Sequence, residues 1–190
     1  MHAPRFLTEH FLIAMPALAD PNFARGVTLL CQHDEDGAMG LVINRLADFS
    51  LGDLFDQMQM PCSDLALREM PVLLGGPVQT DRGFVLHDDE RQWNSTLRFG
   101  KGLAVSTSRD ILAAMARGEG PKHVLVALGY AGWDAGQLES ELARNDWLTV
   151  PADHAIMFEK PLEARWQAAA KSLGVDLANQ IGRASCRERV

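Results

Sequence analysis

The sequence predicts an α+β fold: a single compact domain in which a mixed, largely antiparallel sheet is flanked by helices. Three observations carry this. Short apolar runs bounded by Pro, Gly, Asn or Asp recur along the chain, as strands do. The earliest runs are separated by a tight polar turn of hairpin length. Capped segments of helical period then enter irregularly, so hairpins come first and crossovers later, unlike the strict alternation of a doubly wound fold.

In chain order, residues 11–15 (FLIAM) read as a first strand ended by Pro16, and residues 19–25 as a polar loop. Residues 27–32 and 39–44 form a hairpin around the turn 33–37, where Gly37 supplies a positive φ. Ser50 caps a short helix with Asp53 at N3, and Leu51, Leu54, Phe55 and Met58 make its apolar face. Residues 60–63 interrupt it, and the stretch to Glu69 has no clear period. Residues 72–74 are a strand running into Gly75-Gly76-Pro77-Val78, and 83–87 are the next. Residues 88–95 read as a charged surface loop, and 97–105 as one or two edge strands parted by Gly100-Lys101-Gly102. Ser106 or Ser108 caps a helix with Ile111, Leu112 and Met115 inward; Gly118 ends it, with Pro121 beyond.

Residues 123–150 are the stretch around which the chain is organised. Val124 to Leu128 reads as a buried strand, and Gly129-Tyr130-Ala131-Gly132-Trp133 as a tight bend presenting aromatic rings at its end. Asp134 at N-cap and Gln137 at N3 make a capping box for a helix that turns Leu138 and Leu142 inward, with Gln137 and Glu141 outward. Asn145-Asp146 breaks the helix, and residues 147–150 form a strand stopped by Pro151. Residues 155–158 read as another strand. Pro161 starts a last helix carrying Leu162, Trp166, Ala169 and Leu173, closed by Gly174.

The 190 residues are 47% hydrophobic and 23% charged, enough chain and apolar content for one good core. The net charge of −7 repels phosphate backbones, which disfavours direct nucleic-acid binding. Three cysteines without a C-x-x-C pair fit free thiols in a reducing compartment, and Cys31 lies in an apolar run that suits a core residue. Residues 1–16 lack a signal-peptide layout, and no stretch approaches the ~18 apolar residues of a membrane helix, so the cytoplasm is the expected address.

The common catalytic signatures are absent: no G-x-S-x-G, no G-x-x-x-x-G-K-[ST], no G-x-G-x-x-G after a strand and no H-E-x-x-H. The six histidines give no pair at metal-ligand spacing on one element, and neither a metal nor a cofactor is expected. His33 with Asp34, Glu35 and Asp36 reads as a solvated turn. The candidate ligand-binding residues are Asn44, Arg45, Gly75, Gly76, His87, Tyr130, Trp133 and Gln137. Arg45 suits a carboxylate or phosphate, Gly75-Gly76 an anion nest, and His87 beside Asp88 a general base. For each a structural reading competes: Trp133 and Trp147 as core, the glycines as turn formers, Arg45 as an ion-pair residue. A ligand-binding or regulatory role is favoured, with a small-molecule or protein partner. The alternative is a small-molecule enzyme whose site joins Asn44, Arg45, His87 and Tyr130.

Several of these motifs, in the same order, resemble the AlgH/YqgE family of bacterial proteins. The resemblance is carried by residues 11–16 (FLIAMP), 37–45 (GAMGLVINR), 75–78 (GGPV), 83–87 (GFVLH) and 128–133 (LGYAGW) running into 136–139 (GQLE). It implies a compact α+β domain in the bacterial cytoplasm, spanning residues 1–180. Members are often labelled transcriptional regulators, after a link to alginate control, without an established biochemical activity or catalytic residues. An acidic chain with no basic recognition helix points to an indirect route for any such regulation.

Residues 181–190 (IGRASCRERV) depart from everything before them in Arg density and lack of apolar period. They can be back-translated into a string that reads as a sequencing adapter, so they are expected not to belong to the natural protein. Without this +2 segment the net charge goes from −7 to −9, and Cys186 disappears.

Overall fold

Alternation along the first strand sets the layering. Phe11 and Ile13 face one core cluster and Leu12 and Ala14 another, as a strand with both faces covered requires. The computed structural model describes residues 6–15, 25–88 and 91–172. Ten strands occur among them: β1 (His10–Ala14), β2 (Val27–Asp34), β3 (Gly37–Val42), β4 (Leu46–Ser50), β5 (Pro71–Leu74), β6 (Val78–Asp88), β7 (Thr96–Phe99), β8 (Leu103–Ser106), β9 (Val124–Asp134) and β10 (Trp147–Pro151). The helices are α1 (Leu51–Gln57), α2 (Leu65–Arg68), α3 (Arg109–Ala116), α4 (Gln137–Ala143), α5 (His154–Phe158) and α6 (Arg165–Lys171), the last entered through a 3₁₀ turn at Leu162–Ala164.

The sheet runs β10-β1-β2-β3-β9-β6-β8-β7, with β4 and β5 joined at its middle. Every pairing is antiparallel except β5 with β9, so the fold is α+β with a mixed, largely antiparallel sheet. The β2–β3 hairpin forms as expected, with Asp34 opposite Gly37 and Glu35-Asp36 as its loop. On one face α5 and α6 cover Phe84, Leu86 and Ala127; on the other α1 and α3 cover Val85 and Val126. The buried Arg165 guanidinium donates to the Ile43 carbonyl and holds α6 against the sheet. Burial lowers its pKa.

The capping box at α1 is present: Ser50 Oγ accepts from the Asp53 N–H at 3.3 Å, and the Asp53 carboxylate accepts from the Ser50 N–H at 3.0 Å. At α3 the N-cap is Ser108, while Ser106 is buried in β8.

Four expectations are corrected. First, residues 129–133 are not a bend. β9 runs straight through them to Asp134, and Gly129, at φ +76°, marks where its neighbour changes. Val126–Leu128 pair with β5, and Ala131–Asp134 pair with β3 along the same edge. Second, Asp134 is not an N-cap. Gly136, at φ +78°, holds that position, and of the predicted box only the bond from the Asp134 N–H to Gln137 Oε1, at 3.0 Å, forms. Third, Glu141 is not simply outward: it is half-buried and accepts from two indoles. Fourth, residues 155–158 are helical. Asp153 Oδ1 accepts from the N–H groups of Ala155 and Ile156 and starts α5, and a four-residue apolar run carries no period that tells strand from helix. The expected helix end at Leu173 and Gly174, and residues 181–190, lie outside the described residues.

Candidate functional site

The middle of the sheet is a crossing of glycine-bearing backbones. Gly75 donates its N–H to the Leu128 carbonyl, and its own carbonyl accepts from Val42. A Cβ on Gly75 would lie 2.4 Å from the Gly129 carbonyl oxygen; one on Gly76, at φ +156°, would lie 2.2 Å from the Tyr130 carbonyl carbon. The glycines are thus required by close backbone approach where β3, β5 and β9 meet. The Arg45 carbonyl accepts from the Leu74 N–H at the same crossing. Asn44 faces the other way: its Oδ1 accepts from Val27 and its Nδ2 donates to Arg25, tying the end of β3 to the start of β2.

Tyr130 is half-buried and lies edge-on to Phe84, with ring centres 5.5 Å apart. It lines an open cleft of about 550 Å³ with Met39, Arg82 and Gly132. Trp133 also reaches this cleft's rim but is only 6% exposed. Its indole N–H donates to Glu141 Oε1 at 3.3 Å, and Trp147 donates to the same oxygen at 3.0 Å. Gln137, exposed on α4, donates to the other Glu141 oxygen. Trp133 and Gln137 thus belong to one corner of the fold, where α4 is fastened over β9 and β10.

His87 stands apart. It is fully buried on the face opposite Phe84, and by register it pairs with Val124, six residues before Tyr130. Its Nδ1 lies 2.6 Å from the Asp88 carbonyl oxygen, where it can only donate, so Nε2 accepts from Ser106 Oγ at 2.8 Å. Thr96 Oγ1 is 2.8 Å from Ser106 Oγ, which completes a polar ladder across β6, β8 and β7. A serine–histidine pair at this distance has the geometry of an activated nucleophile, but both side chains are wholly buried. The structure therefore does not gather Asn44, Arg45, His87 and Tyr130 into one constellation. Cys31 is likewise buried, which pushes its thiol pKa far up and keeps it protonated.

A second cleft escaped the sequence. It has a volume of about 580 Å³ and lies between α1, the start of α3 and the β6–β9 face. Leu54, Met58, Val85, Leu112 and Leu128 wall it, and Asp81, Thr107 and Arg109 stand at its rim. The α3 N-terminus beside it is already occupied. Burial pushes the Asp110 carboxyl up, but bonds from the Ser108 hydroxyl and the N–H groups of Asn94 and Ile111 outweigh this and hold its pKa below the ordinary range. The Asp110 carboxylate thus already places negative charge at the α3 N-terminus. These lining residues come from four separated segments, so no local motif could have signalled the cleft.

The histidines form another grouping invisible to spacing. Asp88, His123 and His154 come from the end of β6, the residue before β9 and the first turn of α5, and one ligand atom from each lies within 4.8 Å of the others. His33, by contrast, is buried away from its turn. Its Nδ1 accepts from the Leu7 N–H at 2.9 Å and its Nε2 donates to Glu139.

The AlgH-like family profile, DUF179, matches residues 11–178. The chain belongs to the AlgH-like family. Its AlgH-like relatives include a UPF0301 protein of Xanthomonas campestris pv. campestris, 57% identical over 174 residues, covering 92% of this chain and 93% of that protein. A UPF0301 protein of Stenotrophomonas maltophilia is 56% identical over the same length and coverage. The solution structure of the AlgH protein from Pseudomonas aeruginosa is similar with a TM-score of 0.79 and 52% identity, covering 95% of this chain and 96% of that one. A crystal structure of a protein from Corynebacterium diphtheriae shares the fold at a TM-score of 0.71 and 18% identity, over 90% of each chain.

Proposed function

We propose that this AlgH-like protein is a cytoplasmic ligand-binding protein with a regulatory rather than a catalytic role. The observation that carries the reading is the 580 Å³ cleft between α1, α3 and the sheet. Its volume falls within the range of ~300–1,000 Å³ typical of small-molecule sites, and it joins apolar walls to a few polar groups. The ligand class it suits is a small, mostly apolar molecule with one polar end, which the Asp81, Thr107 and Arg109 rim would orient. The Tyr130 cleft is similar in volume but more open, and supports the reading less.

A cytoplasmic address is supported by the two free cysteines among the described residues, Cys31 and Cys62. No helix among the described residues is long and apolar enough to cross a membrane. The regulation is proposed to act indirectly, through a protein or metabolite, because the net charge of −7 opposes docking on DNA. A gel shift at low salt should show no complex, and a salt-sensitive complex would replace the indirect route with direct binding.

Native mass spectrometry of protein purified from its host tests the cleft. A retained small molecule is expected, and Leu54→Trp, which fills the cleft from a half-buried position, should abolish retention without lowering the melting temperature. Absence of any retained molecule, or equal retention by Leu54→Trp, overturns the reading.

A further inference from the structure

We propose that Asp88, His123 and His154 form a binding site for zinc, using one carboxylate oxygen and two imidazole nitrogens and leaving a fourth position open. Three independent features support it. Asp88 Oδ2 already stands 3.0 Å from His123 Nδ1. Two ligands on one tetrahedral zinc, each ~2.0–2.1 Å from the metal, are roughly 3.3 Å apart, so this pair nearly spans one edge of the coordination shell. His154 completes the set from α5. Its ring lies edge-on to His123, with centres 4.7 Å apart, and the ligand atoms of all three residues fall within 4.8 Å of one another. The His154 side chain is exposed, so its rotamers are open to adjustment toward a bound ion.

The second feature is an oxygen without a use. Asp88 Oδ1 is buried and has no hydrogen-bond partner among the described residues, although the side chain as a whole is only 16% exposed. A bound cation would neutralise the carboxylate and engage it through either oxygen. The third is the surroundings. Phe158, one turn beyond His154 on α5, packs against both rings at 4.7 and 5.6 Å and walls one side with apolar surface. The Asp88 backbone is fixed from behind, since its carbonyl accepts from the buried His87 ring. Two imidazoles with one carboxylate suit zinc better than the hard cations calcium and magnesium, which take oxygen ligands. The exposed side of His154 leaves the fourth position to water or an exogenous ligand. The bound ion would clip α5 to the ends of β6 and β9.

The test is titration of the full chain with zinc by calorimetry and with cobalt by visible absorption, each metal alone. The proposal expects one ion per chain, the strong visible bands of four-coordinate cobalt, and a higher melting temperature with zinc. His154→Ala, at an exposed position, should weaken zinc binding by at least ~10-fold with an unchanged fold by circular dichroism. Asp88→Asn should do the same, while Cys62→Ser should leave affinity unaltered. No binding at micromolar zinc overturns the proposal, as does wild-type affinity in both His154→Ala and Asp88→Asn. A thiolate-to-cobalt charge-transfer band would place the ion on a cysteine and overturn it as well. Its failure leaves the α1–α3 cleft untouched, because none of its ligands lines that cleft.

Discussion

Replacing Trp133 by alanine separates a core role from a binding role most directly. The ring is 6% exposed, sits among Leu12, Leu30, Leu138 and Trp147, and lies edge-on to Trp147 with centres 6.1 Å apart. A buried indole removes ~150–250 Å² from water, about 4–6 kcal/mol of transfer free energy as an upper estimate. Truncations of buried Trp and Phe to Ala cost ~3–5 kcal/mol, and that range applies here. The Glu141 carboxylate does not add an orphaned-charge penalty, because Trp147 and Gln137 still donate to it at 3.0 Å each. Trp133→Ala should therefore lose about 3–5 kcal/mol, which for a domain of this size lowers the melting temperature by roughly 6–20 °C. Urea denaturation followed by far-ultraviolet circular dichroism measures it. A loss below about 1 kcal/mol would refute the packing argument, and an unchanged melting temperature with altered ligand retention would assign Trp133 to a binding surface.

Two further outcomes follow from single contacts. Gly76→Ala should cost at least roughly 2 kcal/mol, since the new Cβ meets the Tyr130 backbone at 2.2 Å and φ +156° is strained for any side chain. Gly83→Ala, where nothing lies within 4 Å, should stay within about 0.5 kcal/mol, and equal effects in chemical denaturation would contradict the crossing argument. Asp110→Asn should cost about 1–2 kcal/mol at neutral pH through weaker bonds to Ser108, Asn94 and Ile111. The folded pKa of Asp110 lies below its unfolded value, so this stability is present above ~4 and is lost as pH falls through the folded value. The wild-type advantage should accordingly shrink in acid, and an advantage independent of pH would rule out the carboxylate as its source.

The sequence by itself determined what depends on neighbours a few residues apart. Strand runs such as residues 27–32 and 72–74, the Ser50–Asp53 box, the inward residues Ile111, Leu112 and Met115, and the stop at Gly118 all rest on local hydrogen bonds and periodicity. The α+β class followed from their order, and the family from motifs spread along nearly the whole chain. Tertiary structure decided what depends on partners distant in the chain. A glycine read locally as a bend at 129 proved to be the point where one strand changes neighbour, because β5 and β3 abut it from 50 or more residues away. Burial decided His87: its place beside an acidic pair suggested a base, but cross-strand bonding to Ser106 seals it in the core. The α1–α3 cleft and the Asp88–His123–His154 grouping have no local signature at all. Their residues converge only because the sheet brings separate strand ends together, and pairing register, not sequence spacing, sets those distances.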